Sequence, residues 1–355
     1  MELLKKTVEG IKPLDQGSMS KARERVDNLT KPRGSLGRLE EIAVRLCGIT
    51  GSITPDVGKK AVLVMAADNG VCSEGVAAYP QQVTALMAKG MAEGTAGVAV
   101  FARIVGAHLK VFDLGMIEPV DHSAIINKRI RPGTANMAKG PAMERNEAVQ
   151  AIETGIQAVF DAADSGYRMV APGEVGIGNT TSASAVLAAL EGLSPSLTTG
   201  RGAGLDDAGL SGKIEVVKRA IATNKPDPTD AVDIISKVGG LDIAGMTGIY
   251  LGAANKRIPV IIDGFISSVA ALAAVKLNPL SLEYMFPSHL SAEKGGGPAL
   301  ERLGLKPCFD LSMRLGEGSG AVLMFYIIEA AAAALMQMKT FEEAGIKAER
   351  GHTDF

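Results

Sequence analysis

One glutamate stands alone in a run of glycines. Arg314-Leu315-Gly316-Glu317-Gly318-Ser319-Gly320 leads straight into an Ala-rich apolar stretch, so Glu317 is a single carboxylate at the mouth of an apolar helix. Glycines let a ligand come close to it, and apolar surroundings raise its pKa toward the range useful for proton transfer. A helix-start acid answering the dipole is the plainer reading of the same residues. A second carboxylate, Glu174, lies in Pro172-Gly173-Glu174-Val175-Gly176-Ile177-Gly178-Asn179, which feeds a helix beginning Thr180-Thr181-Ser182. Gly176 and Gly178 admit a ligand close to the backbone, and N–H groups at a helix start suit a phosphate. The spacing does not match the dinucleotide fingerprint GxGxxG, and glycine also serves tight strand-to-helix packing. Gly200-Arg201-Gly202-Ala203-Gly204 is a further cluster, an anion cradle with Lys213 within reach as a point charge. A flexible surface loop beside a solvated lysine is the alternative there, and the Lys-Ser/Thr pair of a P-loop is missing. The last cluster runs from Ser288 and His289 through Ser291 and Glu293 to Gly295-Gly296-Gly297.

These loops need elements to hold them. Short apolar runs at 61–66, 109–112, 168–171 and 258–262 read as strands. They lack alternation, the mark of strands buried on both faces of a parallel sheet. Helical stretches separate them at 82–92, 96–105, 146–163, 181–190, 212–223, 231–238, 243–253 and 267–277. The expectation is an α/β fold with a doubly wound, mainly parallel, Rossmann-like sheet. Each strand runs into a carboxylate and a glycine: Asp68 with Gly70, Asp113 with Gly115, Glu174 with Gly173, and Asp263 with Gly264. Ligands in open parallel sheets bind outside the carboxyl ends of the strands. Asp and Gly after a strand are also ordinary turn chemistry. The connection 116–144 is long and rich in Pro and Gly, which suggests a functional loop or an excursion over a neighbour. Two helices precede the sheet, one near 18–30 capped by Ser18 or Ser20 and one capped by Ser35 and running to Leu46. A helix over 320–338 is expected to return and pack on them. The expected division is a catalytic domain over 55–315 and a small helical domain from 1–54 plus 316–355.

Composition removes several classes. Thirty-seven basic residues against 39 acidic ones give net −2, and aromatics make 4% with no Trp. That argues against a nucleic-acid binder, which needs surplus cations and stacking rings. The 42 glycines are about 12% of the chain against a usual ~7%, without the three-residue period of collagen. Cys47, Cys72 and Cys308 form no CxxC pair, which fits a reduced, cytoplasmic chain. His108, His122, His289 and His352 show no metal spacing. The N-terminus lacks an apolar core of signal-peptide length. The apolar stretch 321–336 carries Glu329 and is shorter than the ~20 residues a bilayer requires, so a buried helix is expected and no membrane partner.

At this point the residues resemble a family. Lys31 through Glu40, Asp68-Asn69-Gly70-Val71, Glu74-Gly75-Val76, Pro80-Gln81 with Val83-Thr84, and Gly133-Thr134 through Met143 carry the likeness. It continues through Gly173–Thr181, Gly200–Asp207, Asp263-Gly264-Phe265, Ser291-Ala292-Glu293 and Arg314–Gly320. In that order, over nearly the whole chain, they resemble the nicotinate-nucleotide–dimethylbenzimidazole phosphoribosyltransferases of cobalamin lower-ligand assembly. The resemblance implies transfer of phosphoribose from nicotinate mononucleotide to 5,6-dimethylbenzimidazole, giving α-ribazole 5′-phosphate and nicotinate. It implies a homodimer, no cofactor and no metal. It gives Glu317 the role of general base, and the chemistry of the transfer adds Glu174 as a second carboxylate to test, one that would steady an electron-poor ribose. Phosphate and ribose fall to Gly176, Gly178, Asn179, Thr180, Gly202, Ala203, Gly204, Lys213, Asp263 and Ser291. The aromatic acceptor falls to an apolar slot of Tyr79, Pro80, Gln81 and Leu315. Relatives often have Thr in place of Ala203, Pro and His in place of Lys294 and Gly296, and Gly in place of Ser312. The alternatives are the same donor with another base or a phenol, and a nucleotide-binding protein in which Glu317 merely caps a helix.

Overall fold

The computed structural model describes residues 2–346. Six strands form one sheet: β1 (Lys60–Ala67), β2 (His108–Gly115), β3 (Ile125–Asn127), β4 (Met169–Val175), β5 (Val260–Ile262) and β6 (Met285–Pro287). Their order is β3-β2-β1-β4-β5-β6, and every pair is parallel. This is the doubly wound architecture expected from the sequence. Every residue of β1 and β4 is buried, which explains why neither run alternates. Strand order reverses between β1 and β4, and such a switch point opens a crevice at the carboxyl ends. There the register sets Val64 against Gly173 and Met65 against Glu174.

Helices cover both faces. Leu241–Asn255 is buried along almost its whole length and crosses Arg145–Asp164. The crossing is close because a Cβ on Gly155 would lie 1.9 Å from the Gly245 carbonyl oxygen, and one on Gly248 equally near that of Ile152. Gln16–Asp27 and Arg38–Thr50 pack with the C-terminal helix Ser319–Gln337. The Arg25 guanidinium ties them, donating to the carbonyls of Leu335 at 2.9 Å and Met338 at 3.2 Å. Ser319–Gln337 is long and apolar enough to cross a bilayer by length and composition, longer than the run visible in the sequence. It lies instead against β4, β5 and the helices Arg38–Thr50 and Gly97–Val105, with Glu329 paired to the buried Lys60.

Several local expectations are corrected. The helix near residue 18 starts at Gln16, and its cap is Asp15, whose carboxylate accepts from the Ser18 N–H, not Ser18 or Ser20. The next helix starts at Arg38 after Gly37, because Ser35 lies in a turn. Helix Glu2–Gly10 and the edge strands β3 and β6 are additions, each strand too short to show a period. Of the expected small helical domain, residues 347–355, His352 among them, lie outside the described residues.

Candidate active site

The carboxyl ends of β4 and β5, with the turn before the C-terminal helix, enclose a cavity of about 280 Å³. Glu317, Glu174, Gly176, Gly178, Asn179, Thr180, Gly202, Ala203, Lys213, Asp263, Ser291, Tyr79 and Leu315 all line it. Gly204, expected with them, does not. Pro80 and Gln81 line a shallow neighbouring depression with Cys72 and Ser73, and the Gln81 side chain is spent on the Asn69 carbonyl. Sequence reasoning gave no site role to Val76, Val83 and Met87, which add apolar wall, nor to His289 and Arg314, which its glycine clusters contained. Val83 and Met87 fall on the helix Gln82–Ala92, where an apolar residue reads as core.

Glu317 is set by backbone geometry. Gly316, Glu317 and Gly318 take φ of 82°, 65° and 91°, three left-handed residues in a row. Only the glycines adopt this freely; for Glu317 the conformation costs on the order of 1–2 kcal/mol. The turn lies directly on β4, since a Cβ on Gly173 would sit 2.2 Å from the Glu317 carbonyl oxygen. Asp263 fixes its far end: Oδ1 accepts from the N–H groups of Gly320 at 2.7 Å and Ala321 at 3.0 Å, and Oδ2 from Gly318 at 3.3 Å. The result is a carboxylate 5% exposed. Its Oε2 accepts from the Val98 N–H at 3.0 Å, in the first turn of Gly97–Val105. Burial pushes its pKa up, the Val98 N–H pulls it down, and the Asp263 charge raises it again. Such a carboxylate is a base with an enhanced hold on its proton.

At the other end of the cavity the arrangement suits an anion. Lys213 is 1% exposed, and its Nζ donates to Thr180 Oγ1 at 2.8 Å. No carboxylate lies within ion-pair distance of it among the described residues. Desolvation lowers its pKa to about 8, opposed by the charge of Glu293. A buried ammonium with no carboxylate in direct contact is a place for an anion. Gly202 is required there, since a Cβ would lie 3.2 Å from Nζ at a φ of +56°. The helix start contributes less than expected. The N–H groups of Asn179 and Thr181 turn inward to the carbonyls of Gly176 at 3.1 Å and Gly178 at 2.9 Å.

Of the four strand-end carboxylates, only Glu174 and Asp263 reach the cavity. Asp68 is buried as a tie between Thr84 Oγ1 and the Ile117 N–H, each 2.8 Å away. Asp113 accepts from the Met116 N–H at 2.8 Å and closes its own turn. Turn chemistry is the right reading for those two. Glu174 accepts from Asn179 Nδ2 and, at 3.3 Å, from the Glu317 N–H. Among the described residues no group of three or more His, Cys, Asp or Glu side chains is arranged to hold a metal.

Comparison with known proteins puts this geometry in context. A family model described as phosphoribosyltransferase matches residues 11–346. A nicotinate-nucleotide–dimethylbenzimidazole phosphoribosyltransferase of Alkaliphilus metalliredigens is 50% identical over 347 residues, covering 98% of this chain and 99% of that protein. One of the same name from Chloroflexus aggregans is 49% identical, with 98% of each chain covered. A crystal structure of CobT from Thermus thermophilus superposes with a TM-score of 0.90 at 42% identity, covering 94% of this chain and all of that one.

Proposed function

The chain belongs to the family of nicotinate-nucleotide–dimethylbenzimidazole phosphoribosyltransferases, and we propose that it carries out the family's transfer with Glu317 as general base. The reaction moves the phosphoribosyl group of nicotinate mononucleotide to 5,6-dimethylbenzimidazole. One benzimidazole nitrogen attacks C1′ while the C1′–pyridinium bond breaks, its electron pair returning to the ring nitrogen of nicotinate. The departing pyridinium needs no acid. Positive charge gathers instead on the incoming heterocycle, and Glu317 removes the proton from its second nitrogen as the bond forms. Attack from the face opposite the pyridine inverts the β anomer to α.

The observation that carries this reading is the pairing of Glu317 and Lys213 in one cavity. A buried, strained carboxylate and a buried ammonium with no ion-paired carboxylate line the same cavity. Lys213 and Thr180 anchor the 5′-phosphate, with Gly202 and Ala203 beside them. Ser291 and the glycine loop at Gly176 and Gly178 flank the ribose. The acceptor lies among Tyr79, Val83, Met87 and Leu315. Tyr79 and Leu315 are 55% and 54% exposed, a surface that a flat apolar ring covers. Holding two reactants in line this way lowers a barrier by roughly 7–11 kcal/mol. Asp263 acts indirectly, by tying the Glu317 turn to the C-terminal helix. The same reading makes 55–315 the α/β unit that carries most of the cavity, 1–54 with 316–355 a small helical unit that lends it Glu317, and the protein a cytoplasmic homodimer. The exposed Leu86, Ile104 and Tyr326 support a second copy docking nearby.

The test is release of nicotinate, followed by chromatography, from purified protein given nicotinate mononucleotide and a panel of bases and phenols. Glu317→Gln is expected to lower kcat by roughly 10²–10⁴ with little change in nucleotide KM. Near-normal turnover rejects the base role, and a phenol outrunning dimethylbenzimidazole rejects the acceptor.

A further inference from the structure

Beneath the cavity floor lies an acid that the reaction scheme does not use. Asp242 is the second residue of Leu241–Asn255 and is 0% exposed. Its Oδ1 accepts from the Ile243 N–H at 2.9 Å and its Oδ2 from Asn179 Nδ2 at 3.0 Å. The same Nδ2 also donates to Glu174 Oε2. An amide nitrogen carries two hydrogens, so one Asn179 side chain spends both on two carboxyl groups.

We propose that Asp242 is a positioning residue which, through Asn179, fixes Glu174 as a neutral acid able to donate its proton in a hydrogen bond to the nucleotide. The inference rests on the reading above and refines it. Neither acid has a cation within ion-pair distance among the described residues, and two buried anions bridged by one amide repel each other strongly. One proton therefore stays with the pair. Asp242 holds the charge better, because it has two short donors and sits in the first turn of a helix. Glu174 has one close donor and one at 3.3 Å. It faces Asp242 from that helix, Asp263 from beyond β5 and Glu317 from the turn. Lys213, Glu293, His289 and Arg314 line other walls of the same cavity. Burial, then the Asp242 charge, drive the Glu174 pKa well above the carboxylate range, whereas that of Asp242 rises only to about 6. A neutral Glu174 supplies no charge to an electron-poor ribose, contrary to the expectation from sequence. It leaves Glu317 as the carboxylate free to take the acceptor's proton, a division of two acids by their environments.

The experiment follows kcat at saturating nucleotide against pH for wild type, Asp242→Asn, Glu174→Gln and the double variant. Saturation removes the titration of Lys213 from the profile. Wild type is expected to lose turnover on the alkaline side as Glu174 ionises. Asp242→Asn removes the charge that retains the proton, so this limb moves to lower pH by about one unit or more. In the Glu174→Gln background the same substitution moves nothing. An unmoved limb, or an equal shift in both backgrounds, overturns the proposal. Difference infrared spectra of the unliganded protein test it without turnover and without the Asp242 variant. At neutral pH the wild type is expected to show a protonated buried carboxyl that Glu174→Gln lacks, and identical spectra overturn the assignment even if Glu317 proves to be the base.

Discussion

Replacing Lys213 by Met tests the anion site on three independent readouts. The Nζ has one hydrogen bond, to Thr180, and no carboxylate within ion-pair distance among the described residues, so its burial suits a phosphate partner. A charge-assisted hydrogen bond to phosphate is worth ~1.5–3 kcal/mol, which is about 10- to 150-fold in kcat/KM at 1.4 kcal/mol per decade. Lys213→Met is expected to lose that much with nicotinate mononucleotide and less than about threefold with the phosphate-free riboside. The pH dependence has a definite sign. The folded-state pKa of about 8 lies below the ordinary 10.5. In free wild-type enzyme the ammonium therefore deprotonates above pH 8, and kcat/KM for the nucleotide falls there while that for the riboside does not. Stability moves the opposite way. The folded state binds fewer protons than the unfolded state between pH 8 and 10.5, so the unliganded protein gains stability as pH rises through that window. Lys213→Met, relieved of an unpaired buried ammonium, is expected to melt higher than wild type at neutral pH and to lack that rise. Inorganic phosphate is expected to raise the wild-type midpoint and leave the variant's unmoved. Equal losses for nucleotide and riboside, or equal stabilisation of both proteins by phosphate, refute the reasoning.

Two backbone and capping predictions follow from the Glu317 turn. Gly173→Ala puts a methyl 2.2 Å from the Glu317 carbonyl oxygen. It is expected to cut kcat by on the order of 10²-fold with the nucleotide KM little changed, as steady-state kinetics will show. Asp263→Ala strips the acceptor from three N–H groups at the start of Ser319–Gln337. Urea unfolding is expected to show a loss of about 2–3 kcal/mol, and Asp263→Asn, which keeps Oδ1 for Gly320 and Ala321, a smaller one.

The long buried runs were legible because burial on both faces leaves an unmistakable apolar string, as in Val62-Leu63-Val64-Met65. The three-residue strands β3 and β6 were not, since they are defined by partners on β2 and β5 and carry no pattern of their own. Clusters of glycine around an acid announced Glu317 and Glu174, because a close backbone approach excludes other residue types. Lys213 was reachable by its distance along the chain from such a cluster. Asp242 was invisible for the converse reason. In the first turn of a helix an acid reads as dipole complement, and only the fold brings Asn179, 63 residues earlier, against it. Pro80 and Gln81 misled because neighbours of a lining residue need not line: Tyr79 turns toward the cavity, while the Gln81 amide turns to Asn69.

Why four equivalent-looking strand ends divide two and two is itself explained by the chain. The long connection after β2 closes over the end of β1. Its Ile117 N–H meets Asp68 Oδ2, and its Thr134 N–H meets the Asp68 carbonyl at 3.0 Å. No residue between 116 and 144 lines the cavity. The excursion that looked functional in the sequence is thus a cover, and it consumes the carboxylates of β1 and β2 in holding itself down. On the other side of the switch point the loops after β4 and β5 stay open, because what lies over them is the Glu317 turn and not a strap. Asp263 is consumed there in turn, as the anchor of that turn. Glu174 is left facing the cavity on a donor that it shares with Asp242, so of the four it is the one whose hydrogen bonding is set from beneath the cavity as much as from within it.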